Sequence, residues 1–236
     1  MVHEHSRHEI WKMFDAIAKT YDRANRAMTL GWDVRWRKKV AQHLPQKEHL
    51  RLLDCATGTG EQLFACFDAK RSSIHAVGID LAEEMLEIAR LKMSHHPQAA
   101  QMEFLCADVL EIPFEDNVFD AITISFGIRN VTNVDHALKE MFRVLQPSGK
   151  VLILEGSLPE QRWVRTLYLF YLRQLLPRIG RWVSKHAYAY RYLNETMETF
   201  PSGSVFCNKM RDIGFANVLH LPMMFGSVSL YVGEKR

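Results

Sequence analysis

The residues Asp54-Cys55-Ala56-Thr57-Gly58-Thr59-Gly60-Glu61 constrain this chain more than any other stretch. Leu50 to Leu53 lead into it as a short apolar strand, two glycines turn the backbone, and Glu61 opens a helical pattern. Glycine takes backbone conformations that a Cβ forbids and lets a ligand approach closely. A strand, a glycine turn and a helix N-terminus in succession build a ligand cradle at the carboxyl end of a parallel sheet.

The flanking sequence repeats the same alternation. Strands are expected over Arg51–Ala56, Ile74–Asp80, Met102–Asp108, Phe119–Phe126 and Lys150–Glu155, with helices from Glu61 to Ala69, Leu81 to Met93 and Val134 to Leu145. Asp80 is expected to cap the second of these helices, with Glu83 at capping-box distance. The strands are nearly continuous in Val, Ile and Leu, as parallel strands buried on both faces should be, and the order argues for a doubly wound α/β sheet. Two helical patterns, Ile10 to Tyr21 and Asp33 to Leu44, precede the first strand and read as a cap over the ligand or its entrance. After Ser157 the alternation stops. An aromatic and aliphatic stretch carrying Arg162, Arg165, Arg173, Arg178 and Arg181 follows, then a helix near Ser204–Ile213 and two closing strands, Ala216–Leu221 and Val228–Gly233.

Composition narrows the function. The 236 residues, 47% of them hydrophobic, fit one domain with an elaboration. We divide it into a helical cap (1–48), a cofactor core (49–157), a helical lid (158–203) and a closing helix with strands (204–236). A net charge of +3 does not point to nucleic acid, but residues 156–236 hold 11 Lys/Arg against 5 Asp/Glu, so the basic surplus lies in the C-terminal third. Cys55, Cys66, Cys106 and Cys207 are scattered and read as reduced, cytoplasmic thiols, not as a disulfide frame or a zinc site. His3, His5 and His8 read as a solvated terminus, so no metal is expected.

The glycine pattern identifies the ligand class by what it lacks. Leu63 stands where a dinucleotide fingerprint has its third glycine. Asp54 begins the loop, Asp80 ends the second strand and Asp108 the third, while strand four ends in Ser125-Phe126-Gly127. A carboxylate at the end of strand two accepts from vicinal ribose hydroxyls. A diphosphate prefers a bare helix N-terminus and basic residues, and Glu61 stands at this one. Three acids at strand ends suit a cationic, phosphate-free adenosine ligand, S-adenosylmethionine. A nicotinamide-dependent oxidoreductase and a non-catalytic cofactor-binding subunit are the rival classes. The missing glycine argues against the first, and an intact Arg129-Asn130 pair beside an intact loop argues against the second.

Asp-x-Ala-x-Gly-Thr-Gly at 54–60 resembles motif I of class I S-adenosylmethionine-dependent methyltransferases, with a Rossmann-like, mostly parallel seven-stranded sheet. Phe14-x-x-Ile17-Ala18-x-x-Tyr21-Asp22-x-x-Asn25 with Leu30-Gly31 and Trp36, the run Phe126-Gly127-Ile128-Arg129-Asn130, Arg143 through Ser157, and Tyr190-x-Tyr192-Leu193 with Phe200-Pro201 are similar to one branch of that class. This branch is the quinone-biosynthesis C-methyltransferases, which act on demethylmenaquinol or on a methoxy-polyprenyl-benzoquinol. The resemblance covers nearly the whole chain, and Phe-Gly-Ile-Arg-Asn is its most specific part. Departures include Thr57 where Gly is usual, Gln146 and Ser148 where Lys and Gly are common, and Met223-Met224-Phe225-Gly226 in place of a Thr-x-Gly-Gly pattern. Thr29 and Asp33 likewise replace a usual Ser and His.

The resemblance implies S-adenosylmethionine, with S-adenosylhomocysteine as product, and puts Thr59, Asp80, Asp108, Val109 and Ser125 on it. Asp54, Gly58 and Gly60 complete the expected cofactor set. The implied acceptor is a polyprenylated quinol, with demethylmenaquinol favoured. Methylating a ring carbon requires deprotonating the neighbouring hydroxyl and holding the ring at attack distance. Arg129 is expected to stabilise the oxyanion, Asn130 to orient a hydroxyl or a relay water, and Tyr21 to add a third polar contact. A polyprenyl acceptor lives in the membrane, so the Arg-bearing apolar stretch 162–182 is expected to touch the membrane's inner face transiently. The resemblance leaves room for a homodimer.

Overall fold

The computed structural model describes residues 10–69, 73–175, 178 and 187–236. His3, His5, His8, Arg181 and much of the 162–182 stretch beyond Leu175 lie outside the described residues, as does the side chain of Tyr190.

Seven strands form one sheet: β1 (His49–Cys55), β2 (Ser73–Asp80), β3 (Met102–Cys106), β4 (Phe119–Ser125), β5 (Leu145–Gly156), β6 (Ala216–Met223) and β7 (Val228–Glu234). Their spatial order is β3-β2-β1-β4-β5-β7-β6. β1 to β5 pair in parallel, whereas β7 runs antiparallel to both β5 and β6. The strand order reverses between β1 and β4, and the crevice outside the carboxyl ends of such strands is where ligands bind. The Gly58–Gly60 loop leaves β1 at that point.

The apolar strands bury both faces by period-two alternation. Leu53 and Cys55 of β1 join Ile122 and Ile124 of β4 in one core, closed by Leu138 and Met141 of helix α5 (Val134–Val144) and Phe206 and Met210 of helix α8 (Ser204–Ile213). Leu50 and Leu52 face the other way, onto Val40 of α2 (Trp32–Ala41), Leu63 of α3 (Glu61–Ala69) and Leu86 of α4 (Glu83–Ser94). Each fully buried leucine contributes roughly 1.5–3 kcal/mol relative to exposure, so this double core fixes the strand ends on which the site stands.

Several element boundaries differ from the sequence expectation, each for a local reason. The first helix, α1 (Ile10–Met28), runs a further two turns past Tyr21. Phe14, Ala18 and Tyr21 pack on Ala82 and Met85, and the extra turns are held by Asp22 and Arg26, which pair with Lys92 and Glu61 respectively, and by Met28, which packs beside Leu172 and Met197. Gly31, at φ 78°, then turns the chain into α2. Asp80 is not the cap of α4. That position is Ala82, which has no side-chain cap, because the Asp80 carboxylate is bonded to the Ala82 and Gly58 amides. β3 ends at Cys106, two residues before Asp108, and β4 at Ser125, because Phe126 takes a left-handed φ of 60°. β5 starts at Leu145 and crosses Pro147-Ser148-Gly149 through an irregularity in its pairing with β4.

After β5, helix α6 (Arg162–Phe170) continues into a π turn at Tyr171–Leu175, and α7 (Ala187–Thr199) follows. The β6–β7 turn, Met224–Gly226, holds Met224 and Phe225 at φ 46° and 57°. Among the described residues no helix is long and apolar enough to cross a membrane.

Candidate functional site

The glycine loop is built from below. Asp54, at the end of β1, is buried and accepts from Thr57 Oγ1 at 2.7 Å and from Thr123 Oγ1 of β4 at 2.6 Å. Burial pushes its carboxyl up to about 6 against those two hydrogen bonds and the Arg37 charge. The Gly60 amide donates to Thr57 O at 2.9 Å, which closes the turn. Gly60 has φ 80°, and a Cβ there would come within 2.7 Å of the Phe64 ring, so backbone and packing both demand glycine. A Cβ on Gly58 would meet nothing within 4 Å, because that position faces open space.

That space is a cavity of about 190 Å³. Gly58, Asp80, Asp108, Val109 and Ser125, drawn from four different strand ends, line it, and Ile10, Trp11 and Phe14 of α1 cover it. Asp80 accepts from the Gly58 amide at 2.8 Å and the Ala82 amide at 2.9 Å. Burial pushes its carboxyl above its ordinary range, opposed by those amides. Asp108 accepts from the Leu110 amide at 2.9 Å. Ser125 Oγ donates to the buried Gln62 Oε1 at 2.8 Å.

Three expected cofactor residues stand behind this wall. Asp54 and Gly60 lie under the loop and shape it. Thr59 turns its hydroxyl to Asp22 Oδ1 of α1 at 2.6 Å. Glu61 also points away from the cavity, to Lys92 at 2.7 Å and Arg26 at 3.0 Å. Burial would raise its carboxyl, but the Lys92 hydrogen bond and the charges of Lys92, Arg37 and Arg26 outweigh it and hold the group low. Lys92 bonds Asp22 at 2.7 Å and Thr59 O at 3.1 Å as well, so one ammonium ties α1 to the back of the loop. Asp22 and Lys92 carry no spacing signal, because 70 residues separate them.

A second, larger cavity of about 570 Å³ adjoins the first. Its wall is mostly apolar, with Trp36, Met28, Leu172, Leu193 and Met197. Tyr21 and Phe126 belong to both cavities. Arg129 lines the larger one and Asn130 the smaller, and both residues, with Tyr21, line a space of about 60 Å³ between them. The three expected catalytic residues therefore converge on the junction.

Arg129 is held in a buried ion pair with Glu155 that no sequence spacing signals. Its Nη1 donates to Glu155 Oε1 at 2.5 Å and to Phe126 O at 2.8 Å, and the pair is buried, at 9% and 0% side-chain exposure. Burial disfavours the guanidinium charge, but Glu155 more than restores it and raises the pKa. The Arg129 Nε and the Asn130 Oδ1 are buried and have no hydrogen-bond partner among the described residues. Asn133 caps α5 by accepting from the His136 amide at 3.0 Å. Glu155 carried no role in the sequence reading, although an acid ending an apolar parallel strand is the same signal that marked Asp80.

Residues 1–235 match the model of the ubiE/COQ5 methyltransferase family. The chain is 40% identical over 227 residues to the ubiquinone/menaquinone biosynthesis C-methyltransferase UbiE of Geotalea daltonii, covering 96% of each protein. It is 35% identical over 228 residues to the demethylmenaquinone methyltransferase of Bacteroides fragilis, covering 96% of this chain and 92% of that one. Among solved structures it is similar to an S-adenosylmethionine-dependent methyltransferase of Thermotoga maritima, with TM-score 0.64, 18% identity and coverage of 96% and 99%. It is also similar to a phosphoethanolamine N-methyltransferase of Haemonchus contortus bound to S-adenosylmethionine, with TM-score 0.60, 15% identity and coverage of 81% and 50%. The two structural likenesses speak for the fold, a class I S-adenosylmethionine-dependent methyltransferase sheet, and the sequence matches speak for the branch: this chain belongs to the ubiE/COQ5 methyltransferase family.

Proposed function

We propose that this protein transfers a methyl group from S-adenosylmethionine to a ring carbon of a polyprenylated quinol, converting demethylmenaquinol to menaquinol. The observation that carries the reading is the meeting of two unlike cavities, one rimmed by Asp80 and Asp108 and one apolar, at Tyr21, Phe126, Arg129 and Asn130. The names of the Geotalea and Bacteroides relatives support the acceptor class. The first of those names also admits a benzoquinol as a second acceptor.

The first cavity suits the cofactor. Gly58 presents backbone with no side chain to open space, and the Asp80 and Asp108 carboxylates keep unused lone pairs for ribose hydroxyls and an adenine amino group. When bound, the cofactor supplies an electrophilic methyl on a sulfonium sulfur. Every other step falls to the chain's own residues. The apolar cavity excludes water and holds the ring beside Phe126. Arg129, fixed by Glu155 and Phe126 O through Nη1, uses its unpartnered Nε–H to donate to the acceptor oxygen as negative charge develops there. Asn130 Oδ1 accepts from the acceptor hydroxyl, or from a water that carries its proton away. Once the methyl is bonded to the ring carbon and S-adenosylhomocysteine is left, the hydrogen of that carbon departs as a proton and the oxygen is reprotonated, so the quinol is restored with one proton released overall. R129A should keep S-adenosylhomocysteine binding and lose most turnover, and near-normal turnover in that variant overturns the role.

The reading extends to a transient membrane contact on the inner face. On α6, Val164, Leu167 and Tyr168 line the apolar cavity, and Leu167 is also exposed with Trp163 and Phe170 beside Arg162 and Arg165. Leu30 and Phe225, 86% and 80% exposed, sit at the mouth of the same cavity. An apolar face flanked by arginines is the composition of an interfacial segment. Flotation with anionic vesicles should carry the protein upward, and L167E should weaken this without changing S-adenosylhomocysteine affinity. Absence of flotation with and without anionic lipid removes the contact.

A further inference from the structure

Arg37 of α2 is buried, with 7% of its surface exposed, yet it has no acid within ion-pair distance among the described residues. Its Nε is buried and has no hydrogen-bond partner, and its guanidinium lies 5.6 Å from the centre of the Phe126 ring. It lines the apolar cavity, while Phe126 is common to that cavity and the acid-rimmed one.

Three other cations near the two cavities are matched. Arg26 pairs with Asp33 at 2.9 Å and Glu61 at 3.0 Å, Lys92 with Asp22 and Glu61 at 2.7 Å, and Arg129 with Glu155 at 2.5 Å. Asp33 stands one helical turn before Arg37 but is engaged by Arg26 and by Thr29 Oγ1 at 2.9 Å. Asp54 feels the Arg37 charge but spends its oxygens on Thr57 and Thr123. An unpaired buried cation is costly, and a guanidinium fork matches a carboxylate in two-pronged fashion.

We propose that Arg37 binds the carboxylate of the cofactor's amino-acid end. The inference rests on the reading that the acid-rimmed cavity binds S-adenosylmethionine. The cofactor's sulfur carries three substituents. The adenosyl group belongs with Asp80 and Asp108, and the methyl must face the acceptor cavity at Tyr21 and Arg129. The amino-acid chain then leaves past Phe126, where Arg37 is the buried cation without an acid. The rival source of an oxyanion is the acceptor ring itself.

The test is calorimetric binding of S-adenosylhomocysteine and of 5′-methylthioadenosine, which lacks the amino-acid end, to the wild type, R37M and R37Q. Both variants should bind S-adenosylhomocysteine about tenfold or more weakly, the loss of a charged hydrogen-bonded pair, with 5′-methylthioadenosine affinity unchanged. The ligand-free variants should melt at or above the wild-type temperature, because an uncompensated charge has been removed. Equal weakening of both ligands makes Arg37 a structural residue and overturns the proposal. Unchanged binding of both, with a raised acceptor KM, assigns the oxyanion to the acceptor and overturns it too. A wild type that binds neither ligand defeats the cofactor reading itself, an outcome distinct from any effect of the variants.

Discussion

Replacing Glu155 with glutamine leaves Arg129 as a charge buried without its counter-ion. The pair is a 2.5 Å contact at 9% and 0% exposure, and Glu155 Oε1 also accepts from the Gly156 amide at 2.7 Å. Breaking one side of a buried pair costs about 3–5 kcal/mol, whereas removing both costs far less. A glutamine oxygen still accepts from Gly156, so E155Q belongs at the low end, about 3 kcal/mol. For a chain of this size that lowers the melting temperature by about 6–12 °C. The assay is urea unfolding of wild type, E155Q, R129M and R129M/E155Q, read as midpoints at constant slope. The double variant should regain at least half of the E155Q loss while remaining inactive. A loss under about 1 kcal/mol, the worth of an exposed pair, or a double variant no more stable than E155Q, refutes the view that the junction rests on this pair.

Two further outcomes follow from buried or strained groups. The folded Asp54 carboxyl titrates at about 6 and its ordinary value is 3.8, so the folded state takes up this proton first. This group's contribution to unfolding free energy therefore rises as pH falls from about 7 to about 4. D54N should remove that slope, and a wild-type minus D54N stability difference that does not vary across the range contradicts the assignment. Phe225 holds φ 57° at 80% exposure, where the resembled pattern has glycine. Relief of left-handed strain, worth about 1–2 kcal/mol, exceeds the added unfolded-state freedom of glycine, about 0.4–1 kcal/mol. F225G should therefore be as stable as wild type or slightly more so by urea midpoint, and a clear destabilisation shows that the ring is packed.

The parts of this site legible in sequence are those coded locally. Asp80 and Ser125 end strands, and Gly58, Asp108 and Val109 follow strands within three residues. The apolar runs mark those strands, and strand ends in a parallel sheet share one edge, so the convergence follows from topology. Spacing does not encode which way a side chain turns. Asp54, Thr59 and Glu61 belong to the loop by position but turn toward Thr123, Asp22 and Lys92. The same limit applies to long-range pairs: Arg129 and Glu155 are 26 residues apart, on neighbouring strand ends, and only the sheet order brings them together. α1 outran its apolar pattern because its last two turns are held by partners far away in sequence, Asp22 by Lys92 and the Met28 carbonyl by Tyr171. Arg37 stands in a basic segment with no local signal of its own, since its isolation from acids is a property of the packed molecule.

The central claim is that a ring carbon is methylated at the junction of the two cavities. The direct measurement is mass analysis of reduced demethylmenaquinone after incubation with the protein and methyl-labelled S-adenosylmethionine. The account predicts one labelled methyl on the ring carbon with the wild type, and little or none with R129A under saturating cofactor. Label on a quinol oxygen, or no labelled quinol with the wild type, contradicts it.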